Sequence, residues 1–183
     1  MDIPELLPLL DALAFSADRH RHQRRKGERA SPYINHPIDV ARVITSEAHV
    51  TAVPVLMAAI LHDTIEDTAT TYEELAERFG EHVADMVREV SDDPSLPKAE
   101  QRRRQETGAA QLSYGARLIR IADKVSNVRD LVTDPPANWN PRLRGDYLAW
   151  TKRVVDQCRG TNEALERAYD EAFEQALAAL HGA

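Results

Sequence analysis

The chain contains a single cysteine, Cys158, in 183 residues. One thiol excludes an intrachain disulfide and any cysteine-based zinc cluster. No apolar run approaches the ~18 residues that a membrane-spanning helix requires. The start, Met1-Asp2-Ile3-Pro4-Glu5, has neither the positive region nor the apolar stretch of a secretory signal. A cytoplasmic location and no membrane partner are therefore expected. Positive charge is also in deficit: 23 Lys and Arg against 30 Asp and Glu give a net charge of −7. Such a balance suits a general nucleic-acid binder poorly, so no nucleic-acid partner is expected. An anionic substrate would need a local basic patch or a metal ion to attract it against this field. No feature specifies an oligomeric state.

Sustained period-two alternation, a Gly-rich phosphate loop and internal repeats are absent as well. What remains is an ordinary globular composition, 43% hydrophobic and 29% charged, in a length that suits one domain over residues 1–183. The apolar spacing is helical nearly throughout. Leu6, Leu9, Leu10, Leu13, Ala14 and Ala17 predict an amphipathic helix over about 4–20. An extended segment leads to His36, and Pro37 opens a helix carrying Val40, Val43 and Ile44. Residues 54–66 begin with Pro54 and are apolar all round at first, which predicts a central buried helix. Thr71 and Glu74 form a capping-box pattern, and Gly80 would end the short helix they start. Further helices are predicted over 81–91, 98–107, 115–131, 141–158 and 162–180, with loops at 92–97 and 108–114. Asn140-Pro141 caps and starts the fourth of these. The fold class is all-α, a single helical bundle.

The apolar run ends abruptly at His62-Asp63 and passes into Thr64-Ile65-Glu66-Asp67-Thr68. Adjacent helical side chains diverge by ~100°, so both could reach one ion only near the end of the helix. His36 lies upstream, at the loop before another helix. Asp123 lies downstream, inside the apolar frame of Leu118, Ile119, Ala122 and Val125. A carboxylate there is costly unless it is paired with a cation such as Arg120 or Lys124, or holds a metal. Two imidazoles and two carboxylates would leave positions open for water and a phosphate oxygen. This mixed donor set suits one Mn²⁺, Fe²⁺ or Zn²⁺, with the open positions favouring six-coordinate Mn²⁺.

Glu66 and Asp67 follow Asp63 by three and four residues and would share its face if the helix continues. Carboxylates near such an ion could orient water or take its proton; alternatively they form a solvated acidic helix end. Arg24, Arg25, Lys26, Lys98 and Lys124 are candidate phosphate contacts. The first three could equally be cations closing the first helix. Arg102-Arg103-Arg104 reads as a solvated helix face. Asn127 lies one turn after Asp123 and faces the same way, within reach of a substrate beside the metal. Tyr147 could pack its ring on a sugar, or belong with Trp139 and Trp150 to the core.

Taken together, His36, His62-Asp63 and Asp123 resemble the metal signature of the HD phosphohydrolase superfamily. Arg24-Arg25-Lys26, the segments Pro32–Pro37, Ala59–Thr68 and Ala122–Asn127, and also Asp92–Lys98 and Gly160–Asn162, resemble the hydrolase domain of RelA/SpoT proteins. The similarity extends to the stand-alone small alarmone hydrolases of the metazoan SpoT homologue type and spans roughly residues 5–175. It implies a Mn²⁺-dependent hydrolase that removes the 3′-pyrophosphate of a guanosine polyphosphate, (p)ppGpp. NADPH 2′-phosphate removal, or broader HD-type nucleotide hydrolysis, is the alternative at the same site. By motif position, His36, His62, Asp63 and Asp123 would be the metal ligands and Glu66 and Asp67 the water-activating pair. Arg25, Lys26, Lys98, Asn127 and Tyr147 would surround the nucleotide. The family carries an arginine where this chain has Leu143, flanked by Arg142 and Arg144; either one of these two substitutes or the distal phosphate contact differs.

Overall fold

A computed structural model describes the backbone of residues 3–181; Met1 and Asp2, part of the N-terminal reading above, lie outside the described residues. Its helices are α1 (Ile3–Arg19), α2 (Asn35–Ser46), α3 (Val53–Leu61), α4 (Thr64–Asp67) and α5 (Tyr72–Phe79). They continue with α6 (Glu81–Val90), α7 (Lys98–Gly108), α8 (Tyr114–Thr133), α9 (Pro141–Asp156) and α10 (Glu163–His181). Among the described residues no strand forms; only two isolated bridges occur, Arg24 with Pro32 and Gly27 with Pro136. The all-α reading therefore holds. No helix among the described residues is long and apolar enough to cross a membrane.

Two helices organise the rest. α3 packs against α1, α2, α6 and α8, while α8 packs against α2, α6, α9 and α10. Their apolar residues explain this. Leu56–Leu61 of α3 are all buried, as are Leu118, Ile119, Ile121 and Val125 of α8. Each such leucine or isoleucine contributes about 2 kcal/mol by leaving water. One continuous apolar core results, and α2, α3 and α8 meet within it.

Several predicted boundaries move, each for a local reason. The helix expected over 54–66 stops at Leu61. His62 Nδ1 donates to the Ala59 carbonyl at 2.8 Å, and Thr64 Oγ1 donates to the Leu61 carbonyl at 2.6 Å. These side chains occupy carbonyls that a continuing helix would use for its own amides. The chain turns at 62–63 and restarts as the single turn α4. His36, expected in a loop, lies in the first turn of α2, because that helix starts at Asn35. The predicted loop 108–114 is mostly ordered: α7 runs through Gly108, and Ala109–Gln111 form a 3₁₀ turn. At α5, Thr71 Oγ1 caps the Glu74 amide at 3.2 Å, but the Glu74 carboxylate pairs with Arg19 across the fold. Asn140 caps α9 as expected, accepting from Leu143 N at 2.9 Å.

The segment between α1 and α2 is fastened to the end of α8. The Ala137 amide donates to the Lys26 carbonyl at 3.3 Å, and the Arg29 amide donates to Asp134 at 3.2 Å. Gly27 is required at this closure, since a Cβ there would stand 2.6 Å from the Asp134 backbone oxygen, with the Asp134 side chain closer still. Gly27→Ala should therefore destabilise the protein by about 1–3 kcal/mol in denaturant titration. Gly145→Ala, on an open face of α9 with nothing within 4 Å of the new methyl, should instead stabilise it by up to about 1 kcal/mol.

Candidate metal centre and cleft

The three central helices deliver their polar residues to one place. His36 arrives from the first turn of α2, His62 and Asp63 from the break after α3, and Asp123 from the middle of α8. One ligand atom from each of His36, His62 and Asp123 lies within 4.8 Å of the other two, and all three residues are buried. Asp63 adjoins this group, with Oδ2 at 3.0 Å from His62 Nε2 and 3.8 Å from His36 Nε2. Asp123 Oδ1 stands 3.1 Å from His36 Nε2 and 4.0 Å from His62 Nε2.

The donor chemistry fits a metal. His62 Nδ1 is committed to the Ala59 carbonyl, so it carries a proton and Nε2 is the nitrogen turned to the cluster. That Nε2 is buried 3.0 Å from Asp63 Oδ2, a pair that requires a proton or a metal ion between its members. His36 is held from behind in the same manner, with Nδ1 at 3.2 Å from Ser126 Oγ. Imidazoles anchored through one nitrogen and open at the other are the usual arrangement of histidine metal ligands.

Electrostatics point the same way. Burial lowers the pKa of His36. Burial also opposes charge on His62, yet Asp63 outweighs it and raises that imidazole to about 9. Both carboxyls stay ionised despite burial: His62 holds Asp63 below its ordinary range, and Lys124 does so for Asp123. The cluster is thus two buried anions that draw in positive charge from whichever neighbour supplies it.

The cluster opens into a cleft of about 320 Å³. All eleven residues singled out from the sequence line or form it: His36, His62, Asp63, Asp123, Glu66, Asp67, Arg25, Lys26, Lys98, Asn127 and Tyr147. The two acidic residues of α4 are held by different segments. The Asp92 amide donates to Glu66 Oε2 at 3.0 Å, while Gln23 Nε2 donates to Asp67 Oδ2 at 2.8 Å. Burial raises the Glu66 pKa, although the Asp92 amide opposes the shift. Lys98 Nζ lies 3.7 Å from Glu66 Oε1. Arg25 is not a free cation: its Nη2 donates at 2.7 Å to both Asn127 Oδ1 and Asp130 Oδ2. Asn127 in turn donates to Asp123 Oδ1 at 2.5 Å. Tyr147 stacks between Trp139 and Trp150, with centroids 5.2 and 5.3 Å away.

Two residues, Arg102 and Tyr33, enter the site that the sequence reading passed over or placed elsewhere, and Lys124 takes one of the two roles expected of it. Arg102, read as part of a solvated face, lies over Trp150 at 5.2 Å and lines the cleft, whereas Arg103 and Arg104 pair with Glu100 in solvent. Lys124 is buried, 2.9 Å from Asp123 Oδ2, so the carboxylate has the salt bridge as well as its place in the cluster. Tyr33 donates to Asp63 Oδ2 at 2.6 Å. Neither arginine beside Leu143 lines the cleft. Arg142 is 90% exposed, and Arg144 donates to the Trp139 carbonyl at 3.0 Å.

Comparison with known proteins agrees with this geometry. Residues 12–143 match the model of the HD domain. The chain belongs to the HD-domain family. Guanosine-3′,5′-bis(diphosphate) 3′-pyrophosphohydrolase MESH1 of Mus musculus is 47% identical over 171 residues, covering 93% of this chain and 96% of the relative. The Homo sapiens protein of that name has the same identity and coverage. The bifunctional (p)ppGpp synthase/hydrolase SpoT of Escherichia coli is 34% identical over 132 residues, 67% of this chain but 18% of that protein. A solved structure of a metazoan orthologue of SpoT, described as hydrolysing ppGpp, superposes with a TM-score of 0.89 at 45% identity, covering 92% of this chain and 94% of that one.

If the cluster holds an ion, a divalent metal should raise thermal stability, by about 2.7 kcal/mol at one hundred times its Kd. Asp123→Ala should abolish the shift. Differential scanning calorimetry with Mn²⁺, Fe²⁺ and Zn²⁺, after removal of bound metal by a chelator, measures both.

Proposed function

We propose that this HD-family hydrolase is a metal-dependent (p)ppGpp 3′-pyrophosphohydrolase in which His36, His62, Asp63 and Asp123 bind one ion, Mn²⁺ in the first instance. The observation that carries this reading is the convergence of two buried imidazole Nε2 atoms on two ionised carboxylates at the floor of one cleft. The names of the relatives supply the substrate, and residues 1–183 are taken to form the single domain that acts on it. We place the protein in the cytoplasm, in keeping with a nucleotide substrate.

The reaction adds water across the bond between the ribose 3′ oxygen and the attached phosphorus, releasing GDP or GTP and pyrophosphate. When bound, the ion supplies Lewis-acid stabilisation of phosphoryl charge and lowers the pKa of water. Glu66 is the better placed of the acidic pair to accept the water proton. Burial raises its pKa, which brings a carboxylate closer to the value a general base needs. Asp67, fastened by Gln23, orients the water. Lys98, 3.7 Å from Glu66, is positioned to balance the charge of a phosphoryl group brought beside it. Arg25, Lys26 and Asn127 hold the nucleotide on the α1–α2 side. Tyr147 receives its sugar against the aromatic wall.

NADPH is the informative comparator, since the second reading puts its 2′-phosphate at the same site. Purified protein with Mn²⁺ should convert ppGpp to GDP and pyrophosphate with a kcat/KM above that for NADPH dephosphorylation. The reverse preference would move the assignment to the phosphatase reading. Glu66→Gln should lower kcat by about 10²–10⁴-fold with metal content unchanged, checked by steady-state kinetics alongside elemental analysis. Full activity in that variant would remove Glu66 from its role.

A further inference from the structure

Asp63 joins α3 and α4, its carbonyl accepting from the Asp67 amide at 2.9 Å. It occupies the turn between α3 and α4 at φ −95°, ψ −3°, where neither helix continues through it. Its carboxylate also stands outside the tight triangle of His36, His62 and Asp123. One side chain from outside the cluster reaches it. Tyr33 Oη donates to Asp63 Oδ2 at 2.6 Å, across thirty residues of sequence, and this is the same oxygen that faces both imidazole Nε2 atoms.

Tyr33 is itself held on every side. Its amide donates to the Gln23 carbonyl at 3.1 Å, and its carbonyl accepts from the His36 amide at 2.9 Å. The ring lies 4.9 Å from His20 and 5.9 Å from His36, with the Arg25 guanidinium 5.7 Å over it. A carboxylate oxygen has lone pairs enough to accept this bond and still face a cation, and ligating carboxylates are commonly oriented by such bonds.

We infer that Tyr33 is a positioning residue that holds Asp63 in its metal-binding orientation, so that the segment between α1 and α2 sets the affinity of the centre. The inference rests on the metal-centre reading above. It also joins two parts of the site: the ring that Arg25 covers carries the hydroxyl bonded to the Asp63 oxygen that faces both imidazoles.

The test is direct metal binding to the full chain, with no substrate present. Mn²⁺ is titrated into chelator-treated wild type, Tyr33→Phe and Tyr33→Met, with free Mn²⁺ followed by electron paramagnetic resonance. Tyr33→Phe keeps the ring contacts and removes only the hydroxyl; Tyr33→Met serves if the first variant fails to fold. We expect a Kd 10–100-fold weaker than wild type, and hydrolysis by Tyr33→Phe that recovers at saturating Mn²⁺. An unchanged or tighter Kd overturns the inference while leaving the metal centre intact. So does a lost rate that saturating Mn²⁺ fails to restore, because the hydroxyl would then act in the chemistry. If wild type binds no Mn²⁺, Fe²⁺ or Zn²⁺, the metal-centre reading fails and the inference with it.

Discussion

The hydrogen bond from His62 Nδ1 to the Ala59 carbonyl is the constraint on which the rest of this structure depends. It does three things at once. It occupies a carbonyl needed to prolong α3, so the helix ends where the apolar run ends. It fixes the imidazole proton on Nδ1. It leaves Nε2 buried, 3.0 Å from Asp63 and 4.0 Å from Asp123, as the nitrogen that takes a proton or a cation. A buried acceptor facing two carboxylates is unfavourable unless a proton or a cation lies between them. The local act that stops a helix thus creates the demand for positive charge.

The surrounding residues meet that demand only in part. Lys124 neutralises one oxygen of Asp123 and Tyr33 bonds one oxygen of Asp63, yet His62 still titrates upward and His36 downward in the same cluster. The site is charge-hungry by construction. Outside it, Arg24, Lys26, Lys98 and Arg102 line the cleft of a chain whose net charge is −7. Glu66, Asp67, Asp92, Asp130 and Asp134 line the same cleft, so the field seen by a polyanion is set by these opposed charges over a few ångströms, where screening is weak.

Much of this was legible in the amino-acid order. Leu118, Ile119, Ala122 and Val125 frame Asp123 at core spacing, and the structure buries it with them. The position of Asn127 one turn later was equally readable, and its amide does reach Asp123. What could not be read were the effects of side chains on backbones and of distant elements on one another. Nothing in the apolar run announces that His62 and Thr64 will take its last carbonyls. Arg102, Arg103 and Arg104 are chemically identical in sequence; only the approach of Tyr147 and Trp150 from α9 separates the one in the cleft from the two in solvent. Tyr33 was quoted only within a motif, because the contact that gives it meaning spans thirty residues. The placement of the Leu143 neighbours was hidden for a similar reason: α9 turns Arg142 outward and ties Arg144 to its own N-terminal loop.

The central claim is that the first turn of α2 and the break after α3 bring two imidazoles to one ion. X-ray absorption at the metal edge of protein loaded with one equivalent of Mn²⁺ tests it most directly. The account predicts the outer-shell scattering of two histidine rings in a mixed nitrogen and oxygen shell, with loss of one ring's contribution in His62→Ala. A shell of oxygen atoms alone, unchanged by that substitution, would contradict it.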